Sequence, residues 1–346
     1  MCKSIILTII SIILFTKIQY GQCIIDDNYI NFTNEIQTKV FNENFGDALG
    51  IIDKEIKNNP TDCRYYFLKS AVYYWEEFVY KDDATAEKKF LENIDKTINL
   101  ANKLQEKDSK NACVNFILGA SYGYKGLYYL DKKSMFSTIK NASKGVNYLN
   151  AALKIDSSFV DCYYGLGIYN YNAGKANFLI RLILPIFFNS ADKEKGIDYI
   201  EHVSREGKMS KDNADFTLAL IYDREENYNM SRNYLNKLVL KYPGSSIFSV
   251  YLMANIFNYK KDYGEVIKIG INFLHNTDEN NLNKKRMGSM IYWLLAKSYE
   301  MLSNYQNALV YMEKYLRIIK NDKNALESVN IYKAKLNVQN GKVIKR

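Results

Sequence analysis

Shifted by 48 residues, the chain overlies itself. Lys96–Gly119 then falls on Lys144–Gly167, and Lys96/Lys144, Asn99/Asn147, Asp108/Asp156, Ser109/Ser157, Leu118/Leu166 and Gly119/Gly167 coincide, followed in register by Gly126/Gly174. Each block reads as an amphipathic helix, an Asp-Ser turn able to cap, and a second helix. A helical unit repeated along a chain cannot bury its apolar face alone, so neighbours stack and the fold grows in one direction. With only 3 prolines and 17 glycines in 346 residues, the chain lacks the turn chemistry of a β sandwich or barrel. The expected class is therefore all-α, built as an α-solenoid of antiparallel helix pairs.

A narrower pattern runs through the second helices: a residue, two spacers, Leu plus a small residue, two spacers, then usually Tyr. It occurs as Asn115-Leu118-Gly119-Tyr122, Tyr163-Leu166-Gly167-Asn170, Asp215-Leu218-Ala219-Tyr222 and Tyr292-Leu295-Ala296-Tyr299. A Gly or Ala lets a partner helix approach, while large residues one turn away fill the space around it. Ser231 and Ala308 stand nine residues after Tyr222 and Tyr299, at the small positions of the following helices. Pro243 follows Ser231 by twelve residues, and Pro60 follows Ala48 by twelve. These residues resemble the signature of the tetratricopeptide repeat, over roughly residues 29–320 and most cleanly from Leu218 to Pro243. The resemblance implies about six repeats in a superhelix whose concave face binds a protein or peptide. Asn115, Asn147 and Asn170 could then offer amides to an extended peptide, and Tyr171 an aromatic ring with a polar end.

The departures from the pattern are informative. Tyr122 to Gly145 spans 23 residues and Asn170 to Gly196 spans 26, where the standard repeat has nine. The middle repeats are therefore expected to carry longer helices or insertions. The second, an apolar insert at 176–190, holds Phe178, Leu182, Phe187 and Phe188, candidates for contact with a membrane surface. Together with the short acidic-basic turn after it, this stretch is similar to exported bacterial tetratricopeptide proteins. It is more distantly similar to the tetratricopeptide family linked to the mitochondrial outer membrane and inclusion-body clearance.

Residues 1–22 read as a signal peptide, with Lys3, an apolar run from Ile5 to Phe15 about half the length of a spanning helix, and a short polar end. The expected location is periplasmic or secreted, with an outer-membrane association as the variant; Cys23, were it lipidated, would make the chain a lipoprotein. The solenoid is expected at 23–337, with a last helix at 323–337 as a cap and a basic, frayed tail at 338–346. Net charge is +9, falling to +7 without Lys3 and Lys17, and five of those positive charges lie from Lys333 onward. Charge held in a tail is not the basic face that nucleic acid requires, so no nucleic-acid partner is expected.

Cys23, Cys63, Cys113 and Cys162 follow one another at 40, 50 and 49 residues. Equivalent sites on stacked helices lie about 10 Å apart, beyond the roughly 7 Å Cα separation that a disulfide bridges. Buried free thiols are expected. His202 and His275 are the only histidines, too few for a multi-histidine metal site, and no nucleophile elbow, zinc-protease or phosphate-loop motif is present. The glycines 119, 123 and 126 have no preceding strand and read as helix-packing positions. No catalytic residue, cofactor or metal is expected. The reading is a non-catalytic scaffold of the cell envelope that binds a protein or peptide. The alternative is a membrane-associated or lipoprotein scaffold acting in envelope assembly through 178–188 and Cys23.

Overall fold

A computed structural model describes residues 23–80, 84–175, 191–278, 282 and 286–344. The signal-peptide and apolar-insert expectations, with Phe178, Leu182, Phe187 and Phe188, fall outside these residues. Among the described residues there is no strand, and seven helix pairs plus a cap follow one another, where the sequence predicts about six. The first pairs are α1 (Asp27–Phe41) with α2 (Phe45–Asn58), α3 (Cys63–Tyr80) with α4 (Ala84–Lys107), and α5 (Ala112–Asp131) with α6 (Met135–Ile155). Next come α7 (Cys162–Gly174) with α8 (Lys193–Glu206) and α9 (Lys211–Arg224) with α10 (Tyr228–Lys241). Then α11 (Ser246–Asn255, continued by a π turn at Ile256–Lys260) pairs with α12 (Tyr263–His275), and α13 (Arg286–Met301) with α14 (Tyr305–Ile318). The cap, α15, is Lys323–Ile344, so the helix runs into the stretch expected to fray.

Several helices begin where a small polar side chain takes over an orphan N–H. Asp26, Asn111, Asp192, Asn227, Asp262 and Asn304 accept from the backbone two or three positions into α1, α5, α8, α10, α12 and α14. Five pairs turn on one residue in the left-handed region: Glu43, Lys133, Glu226, Lys261 and Ser303, with φ between 55 and 62°. Each is followed by Asn, Ser or Asp, a capping residue type, which makes the connector short and the pair antiparallel.

The repeat-defining residues sit where close packing needs them. Ala48, Leu118, Leu218, Leu295, Ala296 and Ala308 are fully buried, and Ala219, Ser231 and Leu166 nearly so. A Cβ on Gly145 would come within 3.0 Å of the Gly119 carbonyl, and one on Gly196 within 2.4 Å of the Tyr171 nitrogen. In α5–α6 and α7–α8, backbone therefore lies on backbone through Gly119, Gly145, Gly167 and Gly196. The signature tyrosines stack on a tyrosine of the partner helix: Tyr122 on Tyr148 at 5.8 Å, Tyr222 on Tyr234 at 6.0 Å and Tyr299 on Tyr311 at 5.7 Å. Tyr163 instead tilts against Tyr199 at 4.8 Å. Pro60 and Pro243 follow the ends of α2 and α10, whose last turns a proline cannot extend.

The superhelix returns on itself. Phe41, at the end of α1, meets the rings of Trp75 (α3), Tyr242 and Phe248 (α11) at 5.1–5.2 Å, and Phe216 (α9) touches Phe248 at 5.1 Å. The buried Glu43 carboxylate accepts from the Ser246 backbone N–H and hydroxyl at 2.6 Å, at the start of α11. Asn34 donates to the Lys208 carbonyl, and Asn42 accepts from Gly244 N–H. The first helix thus occupies part of the inner face that the repeats would otherwise leave open.

The cysteine expectation is half corrected. Cys63 and Cys162 are buried free thiols, but Cys23 and Cys113 form a disulfide with Cα atoms 5.6 Å apart. Cys23 precedes α1 and lies on an irregular segment, so the spacing of stacked helices does not hold it away from α5.

Candidate functional site

Between α1 and the inner helices α3, α5 and α7 lies a cavity of about 470 Å³. The far wall is made by the extra turns that separate α5–α6 from a standard repeat: Gly126, Leu127 and Leu130 from α5, with Met135, Ile139 and Ala142 from α6. The near wall is one face of α1, where Tyr29, Thr33, Ile36, Gln37 and Val40 recur at helical spacing. Leu130 and Met135 stand at its rim, 44% and 50% exposed, and Phe136 beside them is 79% exposed.

The wall is apolar and its polar groups are mostly spoken for. Asp161 accepts from the backbone N–H groups of Lys208, Met209 and Ser210 at 3.2, 3.0 and 2.7 Å. Lys175 pairs with Glu225 at 2.8 Å, outside the wall. Glu225 also receives Lys193 and the Tyr171 hydroxyl, and these bonds, Lys175 foremost, hold its carboxyl down at about 2. Burial raises the phenols of Tyr29, Tyr74 and Tyr124 far above their ordinary value, and that of Tyr164 to about 12. The Tyr164 hydroxyl shares a hydrogen bond with Thr217. These phenols are neutral. The Gln37 carboxamide nitrogen and the Thr33 hydroxyl are different: both are buried against the cavity without a hydrogen-bond partner.

The candidate peptide-binding residues lie elsewhere. Asn115 is buried, and its amide donates to the carbonyls of Asn111 and Ser109. Tyr171 is buried with its hydroxyl on Glu225. Asn170 donates to Leu166 and accepts from Asp192 N–H, bracing α7 against the start of α8. Asn147 is exposed on the outer helix α6. The structure brings none of the four to the cavity. The glycine reading also divides: Gly119 faces Leu149 and Gly126 faces Ala142, whereas a Cβ on Gly123 would meet nothing within 4 Å.

Burial raises the Cys63 thiol to about 12 and the Cys162 thiol higher still, so both are protonated and unreactive. His202 lies against the Tyr163 ring and His275 is exposed in the last turn of α12. Among the described residues, no cluster of three or more His, Cys, Asp or Glu is placed to hold a metal ion, and no helix is long and apolar enough to cross a membrane.

No family model matches the chain, and no curated protein matches it. Solved structures do. The APC/C Cut9–Hcn1 hetero-tetramer is similar with a TM-score of 0.51 and 15% identity, over 89% of this chain and 49% of that one. The shared fold is an all-α helical-repeat superhelix. YrrB, described as a TPR protein with an unusual peptide-binding site, covers 66% of this chain and 96% of its own at 14% identity and a TM-score of 0.43. Pseudomonas aeruginosa pilF covers 77% and 97% at 10% identity and a TM-score of 0.47. At these identities the likeness is one of fold.

Proposed function

We propose that this chain is a non-catalytic scaffold of an exported compartment that binds a protein or peptide ligand at the inner surface of its superhelix. The cavity carries the reading. It is the part of the inner face that α1 leaves uncovered, and it combines an apolar wall with neutral phenols. Such a surface recognises shape and apolar area, which suits binding. The ligand contacts are then the rim of α5–α6 and the α1 face rather than the asparagines of the repeat signature.

Two features support export. The N-terminal apolar run has the length and flanks of a signal peptide, and the Cys23–Cys113 disulfide suits an oxidising compartment. The disulfide also weighs against the lipoprotein alternative, because a lipidated cysteine carries its lipid as a thioether and has no sulfur valence left for Cys113.

A photo-crosslinking amino acid at Leu130, on the cavity rim, tests the binding surface in the native host. The same residue at Leu240, which is 84% exposed on α10, is the control. A defined protein adduct from position 130 alone is expected. Equal adducts from both positions, or none from 130, would sink the reading. Mass spectrometry of the mature N-terminus tests compartment: a processed chain with Cys23 joined to Cys113 is expected, and an intact leader or an acylated Cys23 would overturn it.

A further inference from the structure

We propose that the cavity between α1 and α3, α5 and α7 is a binding site for a single acyl chain, with the Gln37 carboxamide set against the chain's one polar group. The inference rests on the cavity being the binding surface, and it is independent of whether the rest of the ligand is protein.

Size comes first. A 150 Å³ apolar cavity in a protein is about enough for benzene, and small-molecule sites occupy about 300–1,000 Å³. At about 470 Å³ this cavity has about three times that volume. The residues that line it run from Tyr29 to Phe41 along α1 and from Phe116 to Leu130 along α5, which is about 18–21 Å at 1.5 Å per residue. An extended acyl chain therefore has room to lie along the helix axes.

Two independent details point to an occupant. Gly123 sits in the interior of α5, where glycine is the poorest helix former after proline. Its two neighbours in the glycine spacing have a packing reason, since α6 lies against Gly119 and Gly126, but a side chain at 123 would enter only open space. Glycine there keeps the floor of the cavity clear. The second detail is Gln37. Its buried carboxamide nitrogen has no partner, and a polar atom left so is costly unless something satisfies it. The Thr33 hydroxyl, one turn away on the same face of α1, is likewise buried without a partner, so the two together match a ligand with one acceptor group, a carboxylate or acyl carbonyl. At the rim, Leu130, Met135 and Phe136 present an apolar approach that would cover the chain as it enters.

The chain could come as a free fatty acid or attached to a polypeptide, and the test separates them. Purified, delipidated mature protein is titrated with cis-parinaric acid, whose fluorescence rises in apolar surroundings. The probe is then displaced by palmitate, by a palmitoylated Gly-Ser hexapeptide, or by the same peptide without the acyl group. Saturable one-to-one binding is expected. Gly123→Leu should weaken it at least tenfold with thermal unfolding unchanged or raised, and Gln37→Leu should weaken it about three- to tenfold. Gly50→Leu, on exposed α2 with equal free space, should leave it unchanged. Should leucine at 123 prevent folding, Gly123→Ala gives the same direction with a smaller loss. Displacement by palmitate identifies free lipid as sufficient; displacement by the acylated peptide alone identifies an acylated chain. Absence of saturable binding, or equal behaviour of Gly123→Leu and Gly50→Leu, overturns the proposal. Equal displacement by the unacylated peptide also overturns it, while leaving the peptide-binding reading standing.

Discussion

The α5–α6 and α13–α14 pairs are one device built at two lengths. Both stack a signature tyrosine on its partner, Tyr122 on Tyr148 and Tyr299 on Tyr311, with nearly parallel rings. Both place a small residue at the crossing, Gly119 with Gly145 and Ala296 with Ala308. They differ beyond the tyrosine. α5 runs nine residues past Tyr122 to Asp131, while α13 runs two past Tyr299 to Met301. α6 starts ten residues before Gly145, and α14 three before Ala308. Each helix of the long pair therefore gains seven residues, about two turns or 10 Å. Those turns are the wall of the cavity. The crossing determines how two helices pair, and the overhang determines whether anything is enclosed.

The comparison can be broken at its strongest fastening first. Cys113→Ser releases the N-terminal strap from α5, and a 90-residue loop corresponds to about 4.5 kcal/mol on chain entropy. Denaturant unfolding should show a loss of about 2–5 kcal/mol, matched by reducing the wild type. A change below about 1 kcal/mol would mean that the aromatic cluster around Phe41 holds α1 unaided.

Backbone contact at the crossing is next. Gly196→Ala places its Cβ 2.4 Å from Tyr171 nitrogen and Gly145→Ala places one 3.0 Å from the Gly119 carbonyl. Overpacking costs about 1–3 kcal/mol, so both should destabilise, Gly196→Ala the more. In the short pair the alanine at 308 is already accommodated. If the two alanine variants unfold like wild type, the long pair does not depend on its glycines.

Smaller and opposite in sign is Gly123→Ala. It should raise stability by about 1 kcal/mol, because alanine favours the helix and meets nothing. Destabilisation in thermal melts would show that the cavity floor is not open.

The smallest effect is an acid one at the α7–α8 junction. Lys175, Lys193 and Tyr171 hold the Glu225 carboxyl at about 2 against an ordinary 4.5. The folded state favours the ionised form, so the contribution is whole above pH 4.5 and disappears as pH falls towards 2. Pairs this near the surface contribute little. Melting temperature should decline across that window less in Glu225→Gln than in wild type, and identical declines would remove the junction from the account.

Helix positions were legible in the sequence because amphipathic periodicity is local: the two blocks that read as helix, Asp-Ser turn and helix are α4 into α5 and α6 into α7. The crossings were legible because Gly or Ala beside Leu has a packing meaning. The turns were hidden, since none of the five left-handed residues is glycine. Two of the Asn residues have a structural role that the pattern does not show. A helical Asn can bond the carbonyl four residues back, and Asn115 and Asn170 do so, which takes their amides out of play. The cavity and the disulfide were invisible because both depend on where α1 returns, and no local pattern encodes a contact 200 residues away.

That return has a consequence for the order in which the molecule is made. Glu43 reaches Ser246 across 203 residues, and Asn34 reaches Lys208 across 174. The pairs from α3 to α10 can form as soon as each is synthesised, since their contacts are close in sequence and quick to make. The first helix can pack on α2 and α3 early, through Tyr29 and Phe32 on Tyr65 and Phe41 on Trp75, but its far side is met only after α11 exists. The segment born first is therefore the one whose contacts are completed last.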